Sequence, residues 1–213
     1  MATANVSLPS EIIDICDYPR LRIGVLPPSG KSQVEIVDSA DPATFREFLL
    51  KLKKDTLYQF NHFGDINLLN ADVIVQKELA RKDKIKFFSF YNNELIAYSF
   101  LTLFEKPSKK HNCILGIVIG DNWQGKGFGK KICTYMIKKA WREGFRKAWL
   151  NVYSDNTRAI TLYKSVGFEV EGIFMADEVE GEEIRHIISM ATFSGKKYGK
   201  KARMAIWDRA EKL

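Results

Sequence analysis

Partway along the chain an apolar stretch runs into Gln124-Gly-Lys-Gly-Phe-Gly129 and leaves it as an amphipathic one. Few local patterns restrict a fold more. Glycines at 125, 127 and 129 let the backbone turn sharply and come close to a ligand, because no Cβ stands in the way. The turn therefore predicts a strand, a tight bend and a helix whose first N–H groups are unpaired. Those N–H groups and the helix dipole together suit an anion such as phosphate. Lys126, Lys130 and Lys131 add positive charge around the bend. Two common phosphate loops do not fit. Gly120, Gly125 and Lys126 have the spacing of a nucleotide-triphosphatase loop, but Gly127 stands where a magnesium-binding Ser or Thr is required. A dinucleotide fingerprint needs a third glycine where Lys130 stands, and it needs a ribose-binding acid downstream.

The rest of the chain supplies regular elements around this turn. Residues 33–37 read as a strand, and Asp41-Pro42 is a helix start followed by Phe45, Phe48, Leu49 and Leu52 at helical spacing. Residues 57–63 form an irregular aromatic segment, and residues 70–82 a second helix. Strands are predicted over 86–91 and 94–104, joined by a hairpin turn at Asn92-Asn93, and over 111–119. An amphipathic helix over 130–143 stops at Gly144. A strand over 148–153, a short helix over 157–166 and a closing hairpin about Gly181 complete the order β-α-α-β-β-β-α-β-α-β-β. This is one mixed α/β domain.

Two motifs now resemble a known family. Gln124-x-x-Gly127-x-Gly129 is similar to the pyrophosphate-binding motif of the GCN5-related N-acetyltransferases, the GNAT superfamily. Asn156-x-x-Ala159-x-x-Leu162-Tyr163-x-x-x-Gly167-Phe168 resembles that family's second signature. The two occur in the family's order and spacing, and the element order agrees over residues 33–192. The resemblance implies an α+β fold with a mixed, mostly antiparallel central sheet flanked by helices. It implies acetyl-CoA as cosubstrate with no metal, and a primary amine on a small molecule or protein as acceptor. Residues 1–32, an amino-terminal extension, and the basic tail 193–213 fall outside it.

The resemblance also implies roles. Ile117, Val118 and Ile119 would pair through their backbone with the pantetheine arm. Gln124, Gly125, Lys126, Gly127, Phe128, Gly129 and Lys130 would hold the pyrophosphate, chiefly through turn amides. Asn156 would contact the pantetheine side, although it is equally a natural N-cap for the helix it precedes. Tyr163 would protonate the departing thiolate, a task suited to a phenol, although it also shares a helix face with Ala159, Ile160 and Val166. No base follows from the family pattern. Residues 111–119 contain no acid, and Asn151 stands where some members carry a glutamate five residues before the signature asparagine. His62, Glu94 and His111 remain as candidates beside a water relay. Acceptor choice is expected from residues 58–63 and 175–183, the latter with five carboxylates between Asp177 and Glu183. That cluster is either a solvated hairpin tip or an attractor for a cationic amine.

Composition bears on the setting. Cys16, Cys113 and Cys133 lack the spacing of a zinc or redox site, and Cys133 reads as a core residue. The first residues are unlike a secretory signal, and no apolar run approaches the roughly 20 residues of a membrane span. A cytoplasmic protein without a membrane partner is expected. The net charge is +7, which favours anionic partners. The run Gly195 to Arg203 is either a solvated face or a contact for RNA or an acidic protein. Two further functions stay open beside the transferase: an acyl-CoA-binding sensor without turnover, and a modifier of a ribosomal or RNA-associated protein. Oligomeric state is not readable from the sequence.

Overall fold

A computed structural model describes residues 34–180 and 182–195. The amino-terminal extension with Cys16, the hairpin residue Gly181, and the tail from Lys196 onward lie outside the described residues. The chain runs β1 (Val34–Val37), α1 (Pro42–Leu50), α2 (Lys54–Phe60), α3 (Ala71–Ala80), β2 (Lys84–Tyr91), β3 (Glu94–Leu103), β4 (Asn112–Ile119), α4 (Phe128–Arg142), β5 (Lys147–Tyr153), α5 (Thr157–Ser165), β6 (Glu169–Glu180) and β7 (Glu183–Phe193). The local signals work as read. Asp41 Oδ2 accepts from Thr44 N at 2.9 Å, with Pro42 opening α1. Asn92 and Asn93 both have positive φ, 50° and 63°, as a tight hairpin turn between right-twisted strands requires.

Three helices, not two, separate β1 from β2. The additional one is α2, whose second half overlaps the aromatic segment 57–63. It has no fully buried residue, so no apolar period marks it. Its start is capped from far away in sequence, since Asp121 accepts from Lys53 N at 2.9 Å and from Thr56 Oγ1 at 2.8 Å. Helix α4 begins two residues earlier than its amphipathic pattern suggests, because Gly127, with φ of 82°, is its N-cap.

The seven strands form one sheet in the order β1-β2-β3-β4-β5-β7-β6. Every pairing is antiparallel except β4 with β5, which is parallel and short. Only Asn112, Cys113 and Ile114 pair with Lys147, Ala148 and Trp149. Beyond them the two strands part: Leu115 to Ile119 pair with β3 alone, and Leu150 to Tyr153 with β7 alone. A wedge therefore opens in the middle of the sheet, on the side where both strands end.

Each face of the sheet carries its own core. On one, Ile132, Cys133, Met136 and Ala140 of α4 and Tyr163 of α5 pack on Leu101, Leu115, Leu150 and Met190. On the other, Phe45, Phe48 and Leu49 of α1 and Val75 of α3 pack on Phe88, Tyr98, Phe100 and Val118. Burying each large side chain contributes about 1.5–3 kcal/mol, so both faces hold the wedge rigidly from either side. Cys133 is fully buried, as expected, and burial pushes its thiol up to about 12. Cys113 is alike in both respects.

Candidate active site

The wedge is the floor of a cavity of about 1120 Å³. Most of the residues singled out from sequence reach it: Ile117, Val118 and Ile119 at the end of β4, Gln124, Gly125, Gly127, Gly129 and Lys130 at the turn, and Asn156 and Tyr163 from α5. Lys126 and Phe128 do not line it. Lys126 lies over the Trp123 ring, its Nζ 4.9 Å from the centroid. The Phe128 side chain is buried against Tyr91 and Trp123, with centroids 5.2 and 5.7 Å away. Any part these two take in holding a ligand falls to their backbone N–H groups.

The turn is built to stay open. Gly125 and Gly127 have φ of 74° and 82°, and a Cβ added at either would meet nothing within 4 Å. No side chain caps α4, and no acid lies in its first turn. The amino end of a 15-residue helix thus faces the cavity with its donors free, which is the arrangement an anion requires. Gly129 does something different. A Cβ there would stand 3.0 Å from Leu162 Cδ2 and 3.1 Å from Ile119 Cδ1, so its absence lets α4 close onto the strand end and α5.

Gln124 acts as a brace. Its Nε2 donates to the Ile119 carbonyl at 3.0 Å and to Thr56 Oγ1 at 3.2 Å, and its Oε1 accepts from Arg158 at 2.6 Å. One side chain therefore ties β4, α2 and α5 together around the mouth of the wedge. Asn156 holds the capping role anticipated for it, with Oδ1 accepting from Ala159 N at 3.1 Å, while it also lines the cavity. Tyr163 is 8% exposed and packs against Phe168. Burial, helped by the neighbouring Cys133, pushes its phenol far above the usual tyrosine range. It therefore stays protonated at any ordinary pH, and its hydroxyl has no protein hydrogen-bond partner among the described residues.

The three candidate bases separate clearly. Glu94 accepts from Trp123 Nε1 at 3.0 Å and does not line the cavity. His111 sits at the opposite end of β4, where its carbonyl accepts from Arg146 and Lys147. His62 does line the cavity, just past the end of α2. Behind it lies a group that sequence reasoning missed. Lys84 Nζ is 2.6 Å from His62 Nε2 and 2.6 Å from Glu78 Oε1, and Tyr98 donates to Glu78 Oε1 at 2.5 Å. Glu78 and Lys84 are each 5% exposed. Burial opposes the charge on Glu78, but hydrogen bonds from His62, Lys84 and Tyr98 outweigh it and hold the carboxyl down at about 2. Burial lowers Lys84 to about 8 against the pull of Glu78. The sequence carried no signal for it, since Lys84 lies two residues ahead of the strand expected from residue 86.

The two segments expected to set acceptor choice meet at the same rim. Tyr58 stacks on Tyr153 at 5.8 Å, and the Arg185 guanidinium lies 3.4 and 4.0 Å from their ring centroids. Asn61 donates to Tyr153 Oη at 2.5 Å and to Glu178 at 3.2 Å, and Tyr153 donates in turn to Glu178. Of the carboxylate cluster, Glu178 is engaged in this way, while Asp177, Glu182 and Glu183 are exposed. Asn151 also lines the cavity.

A backbone cradle at a free helix end, leading into a gap between two strands, fits a long ligand with a phosphate at one end and a reactive group at the other. Comparison with known proteins agrees. Residues 49–168 match the family described as the Acetyltransferase (GNAT) family. Among curated proteins the chain is similar to the L-amino acid N-acetyltransferase AaaT of Escherichia coli K12, 28% identical over 105 residues, 48% of this chain and 64% of that protein. It is also similar to the ribosomal protein bS18-alanine N-acetyltransferase of the same strain, 31% identical over 55 residues, 26% of this chain and 37% of that protein. The chain thus spans less than two thirds of the length of these relatives. Among solved structures, a Vibrio cholerae spermidine N-acetyltransferase with CoA and spermine superposes with a TM-score of 0.65 at 16% identity, covering 76% of this chain and 95% of that one. Salmonella typhimurium yncA, solved with acetyl-CoA, gives 0.63 at 19% identity, covering 80% and 98%. With more than half its length matched to the family and the fold shared by these structures, the chain belongs to the GNAT acetyltransferases.

Proposed function

We propose that the protein transfers the acetyl group of acetyl-CoA to a primary amine by direct attack, and that Tyr163 is the acid. The observation that carries this reading is that one cavity is lined by the open turn at Gly125 and Gly127, the wedge beside Ile117–Ile119, and Tyr163. The turn amides and Lys130 would hold the pyrophosphate. The unpaired edge of β4 would hold the pantetheine arm, with Asn156 opposite. Acetyl-CoA supplies the thioester. Tyr163, kept protonated by burial, gives its proton to the sulfur as the thioester breaks. The acceptor enters from the other side of the sheet, past Phe60, Asn61 and His62. The relatives named above act on an L-amino acid, a ribosomal-protein alanine and spermidine, all of which offer an amine.

The test is release of free CoA thiol from acetyl-CoA across polyamines, amino acids, aminoglycosides and lysine or amino-terminal peptides. Amine-dependent release is expected, and Tyr163→Phe is expected to lower kcat by about 10²–10⁴-fold, the usual worth of a positioned acid. Failure of the protein to bind acetyl-CoA would overturn the proposal, as would full activity in Tyr163→Phe for the assigned acid.

A further inference from the structure

We propose that the acceptor amine loses its proton to Nδ1 of His62, that Nε2 of His62 passes its own proton to Lys84, and that Glu78 and Tyr98 are the positioning residues of this relay. The inference rests on the transfer reaction proposed above.

The geometry around Lys84 requires a shared proton. Nζ and Nε2 are 2.6 Å apart, too close for an N–H on each to point at the other. One proton occupies that line, and it belongs either to Lys84 or to His62. Glu78 does not decide the matter by taking it. Its Oε1 accepts from Tyr98 Oη and Lys84 Nζ, which hold it as an anion, and its Oε2 lies 3.3 Å from His62 Nε2. The surroundings hold both partners still. Lys84 Nζ sits 3.7 Å above the Phe100 ring, and the His62 ring lies 4.7 Å from Phe100 and 4.6 Å from Phe63. The other charges nearby are committed elsewhere. Arg81 is paired with Asp83, and Lys86 donates to the carbonyls of Leu79 and Arg81 at 2.7 Å.

Neutral Lys84 accepts from His62 Nε2–H, which leaves Nδ1 bare, and Nδ1 has no protein partner among the described residues. As the amine nitrogen attacks the thioester carbon, its N–H bond breaks and an Nδ1–H bond forms. The Nε2–H bond breaks and a third N–H forms on Lys84, giving an ammonium beside the Glu78 carboxylate. Tyr163 protonates the sulfur. Lys84 then returns its proton to Nε2 as the Nδ1 proton leaves through the cavity, and Tyr163 regains one from water, so the protein returns to its starting state. The side chain of Lys84 is 1% exposed and that of His62 21%, so His62 is the member that reaches the acceptor. Burial brings Lys84 down to about 8, which makes the neutral form accessible at working pH. A buried ion pair serving stability alone would need no imidazole at the cavity wall, and apolar residues of the same volume commonly stabilise as well or better.

The decisive variants are Lys84→Arg and His62→Gln. Arginine keeps the pairing with Glu78 but cannot give up its charge, and glutamine keeps a hydrogen bond to Lys84 but accepts no proton. Each is expected to lower kcat by about 10²-fold with KM for acetyl-CoA unchanged. The wild-type rise of kcat with pH through about 8 should be absent in Lys84→Arg; titration of the acceptor is common to both proteins and cancels in the comparison. Independently of turnover, ¹⁵N spectra of the free protein above that pH should show His62 as the Nε2–H tautomer. The Nδ1–H tautomer there, or wild-type kcat and pH profile in Lys84→Arg, overturns the relay while leaving the transferase intact. A wild-type protein that acetylates no amine overturns the transfer reaction, and the relay with it.

Discussion

Alanine at Gly116 is the substitution whose cost follows most directly from the structure. Its Cβ would stand 2.3 Å from Phe100 Cζ and 2.7 and 2.8 Å from the two Cε atoms. Carbon atoms rest about 3.5–4.0 Å apart, so the ring has to retreat by more than about 1 Å. Its neighbours resist that shift. Phe100 is 5% exposed and is packed against Tyr98, Phe60 and His62, with Lys84 above its face. Overpacking of this kind costs about 1–3 kcal/mol, or about 2–12 °C in Tm at 2–4 °C per kcal/mol for a chain of this size. A double-mutant cycle isolates the cause. Phe100→Ala alone should cost about 3 kcal/mol, the low end for such a truncation because the site borders an open cavity. Added to Gly116→Ala it should cost no more, because the methyl then occupies vacated space. Urea unfolding of the four proteins measures the cycle. Additive losses, or a Gly116→Ala protein within about 0.5 kcal/mol of wild type, would refute the claim that glycine is there to admit the ring.

Asp121→Ala removes both bonds that start α2, from Lys53 N and Thr56 Oγ1. A loss of about 1–2 kcal/mol is expected, with amide exchange accelerating first across residues 53–60. Gly127→Ala places a side chain at φ of 82° in open space. About 1–2 kcal/mol of backbone strain is expected, together with weaker acetyl-CoA binding by calorimetry, and unchanged affinity would separate the turn from the cofactor. Glu78 titrates at about 2 in the folded protein against 4.5 as its ordinary value. A depressed carboxyl stabilises the folded state above its ordinary value and loses that contribution as pH falls toward the folded one. Stability should therefore decline more steeply between pH 4.5 and about 2 in the wild type than in Glu78→Gln, measured by urea unfolding at each pH.

The halves of the molecule differed in legibility for a physical reason. The elements bearing Gly125, Gly127, Asn156 and Tyr163 declare themselves through neighbours in sequence: a glycine that must adopt positive φ, an Asn two to three residues before the N–H it caps, an apolar face at period 3.6. The turn side of the cavity is formed largely from backbone, and backbone geometry is set locally, so a motif of six residues suffices to write it. Lys126 and Phe128 show the limit of that reading. The motif fixed where their amides go and left their side chains to Trp123 and the core.

The side of the cavity at His62 follows the opposite logic. Helix α2 exists because of an aspartate 65 residues beyond Thr56, and its half-buried aromatics have no period to display. Glu78, Lys84, Tyr98 and His62 come from α3, β2, β3 and the loop after α2, and no pair among them has a spacing that signals contact. Lys84 in particular stands outside the strand expected over residues 86–91: a charged residue ahead of a run of aromatics reads as the solvent end. It is buried instead because Glu78 and Tyr98 meet it there. A side-chain constellation assembled across four elements leaves no fixed spacing for a motif to record, whereas the glycine turn does. His62 and Lys84 at the cavity wall and Glu178 at its rim are therefore legible only in the folded chain, which brings Lys84 to His62 and Glu178 to Asn61.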